Sequence, residues 1–341
     1  MIDLRTDALS RPTDEMWAAM RAAELGWAYF GEDPSVNECE GLAARLLGKE
    51  AAVLVPTCTV ANLVALMTLG ERGSQVVLDP TAHIAASEAR GFEEVCGLAA
   101  GFVEAPAGCP EPGAIEEAIA EGQRAGRRTT LLCLENSHNN AGGAAVPPAR
   151  IAAAAAAAHR HSAAVHLDGA RLFNVAVALR VPAARLAEAA DTVSISLGKG
   201  LCAPGGALLA GPRATLDRAR LNLRRIGAAS VHKAGLLAAA GLVALRAMIG
   251  RLEEDNRRAR DLATRLAALP GLRLDLATVQ TNIVLVDTTP SGLTAEAVVE
   301  RLARRGVLGL RRSESLIRFV THRLIGDAEV ARAAAAVAAS L

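Results

Sequence analysis

Two residues in this chain have side chains and settings suited to covalent chemistry. Lys199 stands between Gly198 and Gly200, just past the apolar, β-branched run Thr192–Ser196, which reads as a buried strand. A lysine on permissive glycine backbone at a strand end presents its amine at a sheet edge. Lysine forms Schiff bases with carbonyls, and partial burial lowers its pKa toward that use. Alone, such a Lys-Gly pair is more often loop punctuation. Asp168 ends a second short apolar strand, Ala163–Leu167, and runs into Gly169-Ala170-Arg171. An aspartate there sits where open α/β sheets bind ligands, although a helix N-cap would use the same residue. It precedes Lys199 by 31 residues (199 − 168), room for one helical crossover to a neighbouring strand. An amine for an aldehyde and a carboxylate for a pyridine nitrogen form the protein side of a pyridoxal phosphate site.

The elements that must hold these groups read as alternating strands and helices. Strands are expected at Ala51–Val55, Gln75–Asp79, Thr130–Leu134, Ala163–Leu167 and Thr192–Ser196, with helices between them. That alternation argues for an α/β, mostly parallel sheet. After the first strand, Pro56-Thr57-Cys58-Thr59 opens a helix whose free N–H groups offer an anion site, or simply a capped helix start. His83 leaves the second strand; it could be a satisfied surface or core histidine, lie flat over a ring, or act as a base. Glu135 to Asn140 is a polar cluster at a third strand end, and it includes His138. From about Ala229 a helical pattern runs to Leu269, closed by Pro270-Gly271. Strands at Leu272–Leu276, Asn282–Asp287, Val307–Leu310 and Leu316–Val320 then form, with two helices, a small α+β domain. The expected division is 1–250 and 251–341. Arg318, on the last strand, is a surface arginine or a substrate clamp.

Composition narrows the field. Lys+Arg number 37 against Asp+Glu 36 with no polybasic run, which disfavours nucleic acid and anionic membrane as partners. The alanine tract Ala152–Ala158 lacks large apolar residues and reads as a helix, not a membrane span. The first residues carry acids and no apolar core, so no secretory signal is expected. Six cysteines are scattered without CxxC spacing, which disfavours a disulfide framework or a metal site and suggests a reducing cytoplasm.

Ordered motifs extend from end to end: IDLRTD, FGEDPSVNECE, LLGKEAAVLVP, TVAN, TAHI, LENSHNNAGG, HLDGARLFN, SLGKGLCAPGG, TNIVLVD and RFVTH. With them the chain resembles the low-specificity L-threonine aldolases, in the β-eliminating lyase branch of the fold-type I pyridoxal phosphate enzymes. The resemblance implies an aminotransferase-like large domain and a small C-terminal domain. It implies Lys199 as the Schiff-base lysine and Asp168 as the partner of the pyridine nitrogen. His83 matches the histidine stacked on the ring, and Cys58 and Thr59 fall in the phosphate loop. Thr6, Arg171 and Arg318 match positions that hold the substrate carboxylate, for which the guanidinium fork is suited, and Arg171 is implied among the cofactor-binding residues as well. The implied reaction is retro-aldol cleavage of a threonine-like β-hydroxy-α-amino acid to glycine and an aldehyde. The implied assembly is a homo-oligomer, a dimer or a dimer of dimers forming a homotetramer.

The chain departs from the family at several positions. Thr57-Cys58-Thr59 stands for the usual Ser-Gly-Thr, Phe30 for a tyrosine and Ala8 for a threonine. The segment Gly122–Arg128 replaces a longer loop with an active-site histidine, and His232 replaces an arginine directed at a neighbouring subunit's cofactor. His83 is then the leading candidate base, with His138 behind it and a phosphate-bound water as a third. The changes touch groups that would handle a β-hydroxyl. They keep open a β-elimination lyase, racemase or transaldolase using the same cofactor, or a cofactor-binding protein without turnover.

Overall fold

Short runs of valine, leucine, isoleucine and alanine, most closed by a polar or glycine residue, make the strands of this protein. The computed structural model describes residues 1–229 and 231–341; Ser230, within the run Ala228–Lys233 and the expected long helix, lies outside the described residues. The strands are β1 (Ile2–Asp3), β2 (Ala51–Val55), β3 (Gln75–Leu78), β4 (Ala99–Phe102), β5 (Thr129–Glu135) and β6 (Ala164–Asp168). They continue as β7 (Thr192–Ser196), β8 (Ala207–Gly211), β9 (Ile283–Asp287), β10 (Val307–Leu308), β11 (Leu310–Arg311) and β12 (Leu316–Val320).

Seven strands form the main sheet in the order β2-β8-β7-β6-β5-β3-β4. Only β8 runs against its neighbours β7 and β2; the other pairings are parallel. Strand β5 is buried at every position, as a central parallel strand covered on both faces must be. Helices Pro112–Arg124 and Pro148–Arg160 take one face and helices Cys58–Leu69 and Arg213–Arg225 pack on β2 and β8. Register sets Glu135 opposite Asp168 and Asp168 opposite Ser194, so polar side chains from three strands end at one level.

A second apolar cluster lies around the antiparallel sheet β11-β12-β9 and helices Leu252–Ala267, Ala295–Arg304 and Asp327–Ala338. Ile2 and Leu4 are buried in this cluster, and β1 pairs in parallel with β10. The first residues, which carry acids and no apolar core of their own, thus form an N-terminal arm docked on the C-terminal unit.

Three expected elements differ. The single helix from about Ala229 to Leu269 is two, Ala234–Met248 and Leu252–Ala267, at 66° to each other. A π-helical turn over Ala244–Met248 and the Gly250 break separate them. The strand expected at Leu272–Leu276 reduces to one bridge, Arg273 to Asp287. Val307–Leu310 is split at Gly309: β10 pairs with β1, and β11 pairs with β12. A Cβ at Gly309 would come within 2.6 Å of the Phe319 ring, so that crossing point needs glycine. The edge strand β4 carried no signal, since Ala-Ala-Gly-Phe lacks β-branched residues. Among the described residues, no single helix is long and apolar enough to cross a membrane.

Candidate active site

The segments that leave β2, β3, β6 and β7 and the first turn of helix Cys58–Leu69 surround one cavity of about 260 Å³. Thr57, Cys58, Thr59, Asn62, His83, Glu88, Asp168, Ser196 and Lys199 line it, with Ala8 of the N-terminal arm and Gly198, Gly205 and Gly206. This is the edge of a parallel sheet at which α/β proteins bind ligands. Lys199 follows β7 by three residues on a turn between Gly198 and Gly200, and Asp168 closes the neighbouring β6.

Asp168 is 2% exposed. Its Oδ1 accepts from the N–H of Ala170 at 3.0 Å and its Oδ2 from Nδ2 of Asn62 at 2.8 Å. Beneath it, the fully buried His166 contacts Oγ1 of Thr192 at 2.9 Å and Oδ1 of Asn62 at 3.1 Å. Burial pushes His166 down to about 4, so its ring is neutral at physiological pH.

On the opposite side, Nδ1 of His83 lies 2.9 Å from Oε1 of Glu88. The hydrogen bond to Glu88 raises the His83 pKa, burial opposes this, and the Asp168 charge adds to the rise. The N–H of His83 donates to Oε2 of Glu135 at 2.6 Å, so the backbone at this turn is tied to the end of β5.

Thr57 caps the helix Cys58–Leu69, its Oγ1 accepting from the N–H of Val60 at 3.2 Å. The N–H groups of Cys58 and Thr59 in the first turn remain directed at the cavity end of that helix, where an anion is favoured. The Cys58 thiol lies toward the end of β6 and β7, 3.6 Å from Oγ of Ser194 and 3.9 Å from Oδ1 of Asp168. Burial and the nearby Asp168 charge push this thiol well up.

The three expected carboxylate-binding residues are not equivalent. Arg171 is buried and doubly bonded to Asp7, Nε to Oδ2 at 2.8 Å and Nη2 to Oδ1 at 2.7 Å. Asp7 is fully buried and also accepts from Nδ2 of Asn282 at 3.0 Å. Burial alone would raise Asp7; the Arg171 guanidinium overrides it and holds the carboxyl well below the usual range. Arg318 donates to Oδ1 of Asn139 at 2.7 Å and to the carbonyl of Arg5 at 3.0 Å, and its buried Nε has no partner among the described residues. Burial and the like charges of Arg171 and Arg312 pull Arg318 down to about 10, a setting that an anion would relieve. Thr6 accepts from the N–H of Ala8 at 3.2 Å and so shapes the arm at the cavity.

Lys199, Asp168, His83, Cys58 and Thr59 are thus gathered around one space, with Arg171 and Arg318 behind the arm that borders it. His138 is not brought to the cavity lining: it is 1% exposed and its Nδ1 accepts from the N–H of Ala141 within its own turn. Glu88 and the pairing of Asp7 were not singled out by the sequence; Asn62 appeared there only within the TVAN motif, and Glu135 and Asn139 only within the polar cluster, with no role given. An amine, a buried carboxylate and a free helix N-terminus around a single-ring-sized space fit pyridoxal phosphate: Lys199 for its aldehyde, Asp168 for its nitrogen, the Cys58 and Thr59 N–H groups for its phosphate. His83, Glu88 and Asp168 also present ligand atoms within 4.8 Å of one another. Their hydrogen bonds to each other and to Asn62 already satisfy that cluster.

Comparison with known proteins agrees with this geometry. The family described as beta-eliminating lyase matches residues 3–289. The chain is 37% identical over 334 residues to low-specificity L-threonine aldolase 1 of Arabidopsis thaliana, covering 96% of this chain and 93% of that one. It is 35% identical over 336 residues to the low specificity L-threonine aldolase of Escherichia coli K12, covering 98% of each. The solved threonine aldolase of Leishmania major superposes with a TM-score of 0.83 at 20% identity, covering 99% of this chain and 98% of that one. That likeness shows the fold, the fold-type I architecture expected from the sequence.

Proposed function

The chain belongs to the beta-eliminating lyase family, and from that premise we propose that it is a pyridoxal phosphate-dependent carbon–carbon lyase. It cleaves a threonine-like β-hydroxy-α-amino acid to glycine and an aldehyde by retro-aldol chemistry. One observation carries the reading: Lys199, Asp168, His83 and the N-terminus of helix Cys58–Leu69 line a single cavity at the C-terminal edge of a parallel sheet. The names of the relatives, low-specificity L-threonine aldolases, support the substrate class.

When bound, pyridoxal phosphate supplies the electron sink that lets a bond at Cα break. The remaining work belongs to this chain. Lys199 holds the aldehyde carbon. Asp168, kept in place by Asn62 and Ala170, holds a proton at the ring nitrogen. The Cys58 and Thr59 N–H groups take the phosphate. Arg318, with its free Nε, takes the substrate carboxylate, and Arg171 offers its remaining Nη1 while Asp7 fixes its plane. This clamp selects which Cα bond stands ready to break. His83 takes the proton of the β-hydroxyl, so the raised pKa from Glu88 delays full activity until the pH exceeds that value. Thr6 sets the arm that borders the substrate.

Residues 1–250 and 251–341 are in this reading the N-terminal arm with the large cofactor-binding domain and the small C-terminal domain, with the arm tied to both through Asp7. Exposed Trp27 and Phe30, edge to face at 4.7 Å, and Tyr29 beneath Arg224 form an aromatic surface suited to a second copy, consistent with a dimer or a homotetramer. Six free cysteines suit a reducing cytoplasm.

The test is glycine release from L-threonine, L-allo-threonine and phenylserine. Slow release from all three, with little choice between the two threonine diastereomers, is expected because few polar groups read the hydroxyl. Full cofactor binding with no glycine from any of them would defeat the aldolase reading.

A further inference from the structure

Asn62 projects from the helix Cys58–Leu69 four residues after Cys58, on the same face, and is 1% exposed. All of its polar valences are used. Nδ2 donates to Oδ2 of Asp168 at 2.8 Å and to Oε1 of Glu88 at 3.0 Å. Oδ1 accepts from Oγ of Ser194 at 2.7 Å and meets Nε2 of His166 at 3.1 Å. The orientation is forced. Two ionised carboxylates can only accept, so the nitrogen must face them, and the oxygen must face the other two groups. His166 therefore carries its proton on Nε2, and its bare Nδ1 accepts from the Thr192 hydroxyl. Ser194 directly, and Thr192 through His166, thus lock one edge of the amide, while its other edge joins the carboxylates of Asp168 and Glu88, both of which line the cavity.

We infer that Asn62 is the positioning residue of this site: one amide fixes the carboxylate of Asp168 and, through Glu88, the ring of His83. The inference rests on the cofactor reading above. It follows that the ring nitrogen and the face of the ring are held by a common part. Burial raises the Glu88 pKa, and the Asn62 and His83 bonds oppose that. Without Asn62, the Glu88 pKa rises further and its hold on His83 weakens. The charges facing His83 are Glu88 and Asp168, which raise its pKa, and Lys199, which lowers it.

The experiment uses cofactor-free protein and two ligands that cannot bond to Lys199: pyridoxine 5′-phosphate and its analogue with CH in place of the ring nitrogen. In wild type, fluorescence titration should favour the nitrogen-containing ligand. In Asn62→Leu its affinity should fall roughly tenfold or more, the scale of a hydrogen bond to a charged group, while the CH analogue binds as before. The His83 midpoint, followed by NMR in the same protein, should drop toward the ordinary histidine value. Ser194→Ala, which removes one donor that orients the amide and leaves both carboxylates, should give the same pattern in weaker form and decides the matter if Asn62→Leu does not fold. Equal losses for both ligands, or unchanged affinities with an unmoved His83, overturn the inference. A wild type that binds neither ligand, or both alike, defeats the cofactor reading and the inference with it.

Discussion

Replacing Asp7 by asparagine isolates the buried contact that joins the arm to both halves of the chain. Asp7 is fully buried and Arg171 almost so, with side-chain exposures of 0% and 6%. Solvent screening is therefore slight. Asp7→Asn keeps the shape and the possible bond from Asn282, but leaves the guanidinium of Arg171 without its counter-charge. Removing one partner of such a pair costs about 3–5 kcal/mol. For a chain of 341 residues, an unfolding entropy of roughly 2.1 cal/mol/K per residue gives about 0.7 kcal/mol/K, hence a Tm drop of roughly 4–7 °C. Asp3→Asn serves as the control. The Arg5–Asp3 pair is exposed to 47% and 24% and is worth at most about 1 kcal/mol, roughly 1 °C. The pH dependence has a fixed sign. The folded pKa of Asp7 is depressed, so its contribution is complete above the unfolded aspartate value near about 4 and is lost as the pH falls below it. The gap in Tm between wild type and Asp7→Asn should be flat from about pH 5 to 8 and should narrow below about pH 4. Scanning calorimetry across that range is the assay. A drop no larger than that of Asp3→Asn, or a gap that closes as the pH rises, would refute the reasoning.

Two further outcomes follow from the same geometry. His83 has a raised folded pKa, so its pairing with Glu88 stabilises the fold below the unfolded value near 6.5 and ceases to do so as the pH rises through the folded one; Glu88→Gln should return the NMR midpoint of His83 toward about 6.5, and an unchanged midpoint would remove Glu88 as the cause. Arg318→Lys keeps the charge but loses the planar fork, so KM should rise roughly 10- to 100-fold with cofactor affinity unchanged; an unaltered KM would move the carboxylate site elsewhere.

The sheet was legible because its strands are brief apolar runs with polar ends. Thr192–Ser196 leading to Lys199, and Ala163–Leu167 leading to Asp168, state both the strand and the place where it stops. The helix break at Ala244–Arg251 was not legible, since Leu-Val-Ala-Leu-Arg-Ala-Met-Ile continues a helical pattern up to Gly250. Leu272, Leu274 and Leu276 alternate as a strand would, yet they pack on the small core without a ladder beyond the Arg273 bridge. The split at Gly309 depends on Phe319, ten residues on, and the fate of the arm depends on β10, some 300 residues away. In the site, type and place made Lys199, Asp168 and His83 candidates, and the family resemblance supplied the roles expected of them. Asn62 did not, because its meaning lies in Asp168, 106 residues later in the chain, and in Glu88, 26 residues later. Arg171 was visible as a guanidinium, but not as one already held by Asp7 across 164 residues.

The measurement that bears most directly on Lys199 as the cofactor-bearing residue is borohydride reduction of the protein loaded with pyridoxal phosphate, followed by peptide mapping. A single pyridoxyl label on Lys199, absent from Lys199→Ala, is the expected result. A label on Lys49, Lys233 or any other amine, with Lys199 unmodified, would contradict it.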